Sequence, residues 1–219
     1  MKSPTRSRLE RAGKKLREAA KLVETDKQYS LKDALDLATK TSITKFDATV
    51  ELHVNLNVDP RQADQNVRDN LVLPSGTGKN VRVAVADEDL LKKLDKGTIE
   101  FDVLISIPEF MPKLGKYARV LGPKGLMPNP KSGTVTTDTK KAVAEAKAGR
   151  VEYRVDSTGI VHLGIGKISF GADKLMANAQ AVFASLKSNK PGSIKGNYVT
   201  SITVSSTMGP GIKVLTSEL

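Results

Sequence analysis

The chain has 219 residues, of which 35 are Lys or Arg and 24 Asp or Glu, giving a net charge of +11. That balance favours nucleic acid or another anionic surface as partner, and an apolar content of 39% is enough for packed cores rather than wholesale disorder. With no Cys there is no disulfide framework, no thiol nucleophile and no zinc ribbon; with aromatics at 4% and no Trp, a reader that stacks successive bases on aromatic platforms is disfavoured.

The first twenty-one residues carry Lys2, Arg6, Arg8, Arg11, Lys14, Lys15, Arg17 and Lys21 against Glu10 and Glu18 only. Leu9, Ala12, Leu16, Ala19 and Val23 recur at intervals of three and four, which predicts a helix with one apolar face and a basic remainder. Ser30, with Asp33 three residues on, predicts the capped start of a second helix that buries Ala34, Leu35 and Ala38. Then Phe46, Ala48, Val50, Leu52, Val54, Leu56 and Val58 alternate with polar residues, the pattern of a strand in a sheet covered on one side. By that parity Phe46 is expected in the core, and His53, on the polar face, is expected to be solvated or hydrogen-bonded rather than a metal ligand.

Beyond the turn-rich Pro74-Ser75-Gly76-Thr77-Gly78-Lys79, the style changes. Val81, Val83 and Val85 predict a strand, Leu90, Leu91 and Leu94 a short helix, and the apolar run 101–107 a buried strand, together a βαβ unit. The run Leu121-Gly122-Pro123-Lys124-Gly125-Leu126-Met127-Pro128-Asn129-Pro130-Lys131-Ser132-Gly133-Thr134-Val135 excludes helix and central strand by its prolines and glycines. It lies in a stretch without Asp or Glu between Glu109 and Asp138 that contains Lys113, Lys116, Arg119, Lys124 and Lys131. A rigid basic loop with open backbone amides suits a polyanion; the plain alternative is a solvated linker. Thr137 or Asp138 is expected to cap a helix that buries Ala142, Val143 and Ala146 and stops at Gly149.

After Gly149 the half-buried style returns. Val151, Tyr153 and Val155 predict a strand, Asp156-Ser157-Thr158-Gly159 a turn, and 160–165 a strand pairing back as a hairpin. Leu175, Ala179, Val182, Phe183 and Leu186 form a helical stripe, and Tyr198, Thr200, Ile202 and Val204 begin the last strand. The fold class expected is therefore α/β in two domains: an outer α+β split sheet-and-helix domain formed by both chain ends (1–75 and 150–219), and a small α/β domain inserted at 76–149. Crossings near residues 75 and 149 would make a hinge. No apolar run approaches the ~18 residues of a membrane span and the start lacks a signal-peptide core, so a soluble cytoplasmic protein is expected.

No arrangement of residues reads as an active site. Gly76-Thr77-Gly78-Lys79 fails as a phosphate loop because Leu73 stands where the first glycine belongs and Asn80 replaces the Ser/Thr. Gly164-Ile165-Gly166 lacks the third glycine of a dinucleotide fingerprint, Ser169 standing there. His53 and His162 are the only histidines; no metal, no cofactor and no catalytic residue is expected. Asp87-Glu88-Asp89 at a helix start would offset the helix dipole. Ser205-Ser206-Thr207 followed by Met208 and Gly209-Pro210-Gly211 offers small hydroxyl donors on a flat, glycine-flanked strand end, a surface that can approach ribose hydroxyls and phosphates closely; its plain alternative is an ordinary turn.

The run at 121–135 and the block at 205–211 resemble the two signature segments of the L-one family of bacterial large-subunit ribosomal proteins, which belong to the mobile lateral stalk. The resemblance continues through Lys45-Phe46-Asp47-Ala48-Thr49-Val50-Glu51-Leu52, Asp59-Pro60-Arg61, Asp64-Gln65-Asn66-Val67-Arg68, Leu73-Pro74, Gly76-Thr77-Gly78-Lys79 and Lys147-Ala148-Gly149-Arg150-Val151-Glu152, nearly the whole chain. It implies the two-domain architecture, with a three-layer, Rossmann-like insert. It also implies a monomer within the ribosome whose outer domain binds large-subunit ribosomal RNA, a stalk that moves as deacylated tRNA leaves the exit site, and repression of the protein's own messenger through a leader that mimics the ribosomal site. Carried over by position, the RNA-binding residues would be Lys45, Phe46, Thr49, Lys167, Ser205, Thr207, Met208 and Gly209. One departure stands out: between the strand at 81–85 and the helix at Leu90, family members carry a further helix and strand that Ala86-Asp87-Glu88-Asp89 bypasses here. An insert this small is expected to be marginal alone. Two rivals remain from the residues themselves: a phosphate-binding enzyme using 76–79 or 121–131, and a free regulator of messenger alone.

Overall fold

A computed structural model describes residues 8–24, 26–95 and 97–218, without the side chains of Arg8, Leu9, Ala63, Lys131 and Glu218. The elements run α1 (Arg8–Arg11), α2 (Lys14–Lys21), α3 (Leu31–Lys40), β1 (Thr49–Leu56), β2 (Arg68–Val72), β3 (Val83–Val85), α4 (Glu88–Asp95), β4 (Val103–Ile105), α5 (Met111–Leu114), α6 (Ala118–Leu121), α7 (Thr139–Lys147), β5 (Arg150–Arg154), β6 (Ile160–Lys167), α8 (Gly171–Ser188), β7 (Val199–Ser206) and β8 (Gly211–Val214). Two compact units result, Met1–Arg68 with Tyr153–Leu219, and Asp69–Glu152. The expected insert ran from 76 to 149; the observed unit takes in a few more residues at each end, so the chain crosses between units within β2 and β5, which pair with each other.

In the first unit, β6, β1, β7 and β8 form an antiparallel sheet in that order. Val50, Leu52, Val54 and Leu56 of β1 are buried, as are Val161, Leu163 and Ile165 of β6, Ile202 and Val204 of β7, and Ile212 and Val214 of β8. All belong to one face, against which α3 and α8 pack. α3 contributes Leu31, Ala34, Leu35 and Ala38, and α8 Leu175, Ala179, Val182, Phe183 and Leu186. Each large apolar side chain buried this way contributes about 1.5–3 kcal/mol. Ser30 caps α3 as expected: its Oγ accepts from the Asp33 N–H at 3.2 Å and donates to Asp33 Oδ2 at 2.8 Å. Buried Asn178 ties α8 to the sheet by donating to the Ile165 carbonyl at 2.7 Å.

Four expectations for this unit are corrected. The N-terminal stripe is not one helix: Gly13, in an extended conformation, separates α1 from α2. Lys2 and Arg6 lie outside the described residues. The hairpin expected between 151–155 and 160–165 reduces to the single bridge Val155–Val161, because β5 pairs with β2 and β6 with β1. Phe46 is not core. β1 begins only at Thr49, Phe46 sits in a bend before it, and the side chain is 63% exposed. Finally, β8 follows the Gly209-Pro210-Gly211 turn and closes the sheet edge, where no strand was expected.

The second unit is built around the parallel pair β3–β4, with Val83 opposite Val103 and Val85 opposite Ile105. Alternate residues feed opposite cores. Leu104 and Ala84 join Leu94, Phe101, Leu114 and Leu121 on one side, while Val83, Val103 and Ile105 meet Ala142 and Ala146 of α7 on the other. This is the expected βαβ unit in three layers. The run at 121–135 is an ordered loop: Leu121, at the end of α6, is fully buried, Pro128 is buried, and Leu126 and Met127 pack on the same core. Asp138 does occupy the position before α7, but its side chain makes no capping bond. At the other end Gly149 holds φ +100, and a Cβ there would meet the Gly76 backbone at 2.6 Å, so the two strands of chain entering and leaving this unit touch through glycine.

Candidate nucleic-acid interface

Among the described residues, the helices cover one face of the four-stranded sheet and leave the other bare and polar. Register puts Lys167, Thr49 and Thr207 side by side at one end of it, with Thr49 opposite Lys167 and the Thr207 N–H donating to the Thr49 carbonyl at 2.9 Å. The next row is Gly164, Glu51, Ser205 and Gly211, and the one beyond is His162, His53, Thr203 and Lys213. Glycines and short hydroxyl side chains keep this surface low, so a sugar–phosphate backbone can approach the strands.

The first row is wired together. Lys167 Nζ donates to Thr49 Oγ1 at 3.1 Å and to the Asp47 carbonyl at 3.2 Å. Thr207 Oγ1 accepts from the Thr49 N–H at 3.1 Å and donates to the Thr49 carbonyl at 3.2 Å, extending the β1–β7 ladder with a side chain. By donor and acceptor count, Lys167 keeps one N–H, Thr49 keeps its O–H and Thr207 keeps a lone pair for a ligand. The Thr207 hydroxyl is therefore first a structural group and only second a contact. Ser205 Oγ is likewise engaged, 3.0 Å from His53 Nε2.

At the rim, the β7–β8 connection is closed by the Gly209 N–H donating to the Ser206 carbonyl at 2.8 Å. Met208 occupies the third place of this turn with φ 64, the position that normally calls for glycine. Its side chain is 71% exposed. A left-handed methionine held mostly in solvent is strained and buries little in the protein, the kind of outlier that clusters at ligand sites. A side chain at Gly209 would meet Ser206 Oγ, so the buried Ser206 side chain would have to turn to admit one. Lys45 and Phe46, in the bend that leads into β1 at this end, are exposed. All eight expected positions thus lie in one unit, at or next to one end of the four-stranded sheet.

Residues outside that set also belong here. The Asp47 carboxylate binds Ser169 beside Lys167. His162 stands directly across from His53, with the two Nδ1 atoms 2.8 Å apart and His162 Nε2 3.5 Å from Asp156. Only strand register brings the two histidines together, so their sequence positions gave no signal; Asp47 was visible as an acid inside a basic, aromatic-bearing segment. Burial first, and then the nearby His162, hold the His53 imidazole below its ordinary value, with Glu51 opposing.

The sequence profile described as the ribosomal protein L1p/L10e family matches residues 38–89 and 85–210. The chain belongs to that family. It is a large-subunit ribosomal protein that binds ribosomal RNA. The two matched stretches of the L1p/L10e profile meet at 85–89, where β3 runs almost directly into α4 and the helix and strand expected of relatives are bypassed. No helix among the described residues is long and apolar enough to cross a membrane.

The basic stretch of the second unit presents a different surface. Lys113, Lys116, Arg119 and Lys124 are exposed, but the amides of Gly125 and Leu126 close turns onto Gly122 and Leu121. The expected cradle of open amides is not formed there. Lys113 is also drawn to Glu88 at 3.5 Å and lies over the Phe110 ring.

Proposed function

We propose that this L1p/L10e protein is a non-catalytic component of the mobile lateral stalk, holding its RNA on the bare end of the four-stranded sheet. The observation that carries the proposal is the row Lys167–Thr49–Thr207, flanked by exposed Phe46 and by Met208 in a strained turn. Cation, hydroxyls and low backbone meet phosphate and ribose, while Phe46 and Met208 offer apolar surface to bases or sugars. By the same reading the stalk assists release of deacylated tRNA from the exit site, and the protein represses its own messenger by binding a leader that presents the same RNA shape, working in the cytoplasm on the ribosome.

The electrostatic part has a numerical test. If about six phosphates are neutralised, the slope of log affinity against log salt is near −4 to −5, taking ~0.7–0.9 per contact; a slope near zero contradicts it. Sucrose-gradient fractionation separates a stalk protein, which sediments with large subunits, from a regulator of messenger alone. Ribosomes lacking the protein should release exit-site tRNA at an altered rate that wild-type protein restores and a Met208→Glu protein does not. A reporter behind the protein's own leader should be repressed by the wild type and released by the same variant. Magnesium-dependent micromolar binding of ATP or GTP would favour the enzymatic alternative instead.

A further inference from the structure

A carboxylate beside a phosphate-binding surface is an electrostatic liability; Glu51 in the second row is one and Asp47, exposed between Phe46 and Thr49, is another. Its contacts give the reason for its presence. Oδ1 accepts the Ser169 N–H at 3.1 Å and Oδ2 the Ser169 hydroxyl at 2.7 Å. Two further bonds join the same two segments: the Ile168 N–H donates to the Ala48 carbonyl at 3.0 Å, and Lys167 Nζ reaches the Asp47 carbonyl at 3.2 Å. These partners, the Ser169 hydroxyl foremost and the Lys167 charge among them, keep the carboxyl below the usual carboxylate range, so it stays ionised and accepting at neutral pH.

Apart from these bonds and the burial of Ala48, the segment is lightly held among the described residues. The ladder of β1 starts at Thr49. Phe46 is 63% exposed, so burial does not hold it, and its carbonyl accepts only from Thr44 Oγ1 among the bonds described, at 3.0 Å. We infer that Asp47 is a positioning residue for RNA binding: its carboxylate pins the segment carrying Lys45 and Phe46 to the turn after β6, so that Phe46 stands ordered on the RNA face before RNA arrives. Ordering a contact in advance removes part of the entropy that binding would otherwise lose. The inference rests on the reading of Phe46 as an RNA contact given above.

The test is a mutant cycle on the full-length protein, with dissociation constants for a stalk ribosomal RNA fragment at one fixed salt concentration. Phe46→Ala should weaken binding roughly five- to 150-fold, as for a lost base-stacking partner. Asp47→Ala should weaken it about three- to tenfold through lost order, and the double variant should bind no worse than Phe46→Ala alone. Asp47→Asn should restore wild-type affinity or better, because Asn Oδ1 accepts the Ser169 N–H, Nδ2 donates to the Ser169 hydroxyl, and the repelling charge is gone. Should Asp47→Ala fail to fold, Ser169→Ala takes its place in the same cycle. Additive effects, an unaffected Asp47→Ala, or an Asp47→Asn as weak as Asp47→Ala would each overturn the inference while leaving the RNA face standing. An unaffected Phe46→Ala would overturn both.

Discussion

The two units handle their sheets in opposite ways. In the second unit both sides of β3–β4 are covered, one by Leu94, Leu114 and Leu121 with their neighbours, the other by Ala142 and Ala146. In the first unit α3 and α8 cover one side of β6-β1-β7-β8 and leave the other bare. That bare side is built mainly from Gly, Ser, Thr and His, with Glu51, Lys167 and Lys213 among them, and at its end the polar groups are already cross-bonded through Thr49, Thr207 and Lys167. Both units display exposed lysines, although the first carries the larger net charge, +8 against +3. What further distinguishes them is a flat, pre-bonded surface flanked by exposed Phe46 and Met208, against isolated cations on a covered core. These differences are why the proposed function assigns specific RNA binding to the first unit.

The comparison is most sharply strained by Met208→Glu. A carboxylate set against phosphates at the rim should weaken RNA binding by several kcal/mol, roughly 100-fold or more, with the fold intact by circular dichroism. A small effect would mean the rim does not meet RNA.

Thr207→Ala ranks next and acts twice. It removes a hydroxyl that bonds both backbone groups of Thr49, and a lone pair available to the ligand. A loss of ~1–3 kcal/mol is expected, shared between thermal stability and RNA affinity, and Thr207→Ser should recover most of both. If only affinity falls, the bonds to Thr49 contribute less than their geometry implies.

A smaller effect concerns pH. The His53 imidazole is held below its ordinary 6.5, so on acidification the unfolded chain takes up a proton before the folded one does. The stabilisation is present above pH 6.5 and falls as pH drops through 6.5 towards the depressed value. Thermal midpoints measured between pH 7.5 and 5.5 should fall more steeply for the wild type than for His53→Gln. Parallel curves would show that His53 is not held below its ordinary value in the folded protein.

The smallest expected effect is the control for the other unit. Lys124→Ala should leave affinity for the stalk RNA nearly unchanged, within about threefold, as expected of an exposed cation away from the interface. Replacing 69–152 by a short Gly/Ser linker should do no more, because every strand of the four-stranded sheet remains. A large loss from either would move the interface.

Much of this was legible in the sequence where one period dominates. The alternation from Val50 to Leu56 gave β1 its buried face, the stripe from Leu175 to Leu186 gave α8, and Val83, Leu94 and the apolar run at 101–107 gave the βαβ unit. The failures share a cause, which is that period gives the face of a strand but not its partner. Val151, Tyr153 and Val155 look like one arm of a hairpin, yet β5 pairs with β2, distant in sequence. Phe46 keeps the parity of Val50 but lies before the ladder begins, and parity has no force outside a ladder. Within the site, the signature segments indicated the positions around Thr49 and Thr207. They did not show that the Thr207 hydroxyl is bound to Thr49, that Asp47 is tied to Ser169, or that His53 meets His162, all of which depend on register.

The most direct test of the central claim is to photo-crosslink the full-length protein to the stalk ribosomal RNA fragment and map the adducts by mass spectrometry. Adducts on peptides covering 45–49 and 205–209, with none or few on 113–131, are the result predicted here. Adducts concentrated on 113–131, with 45–49 and 205–209 clean, would place the RNA on the second unit and contradict the assignment of the bare sheet face.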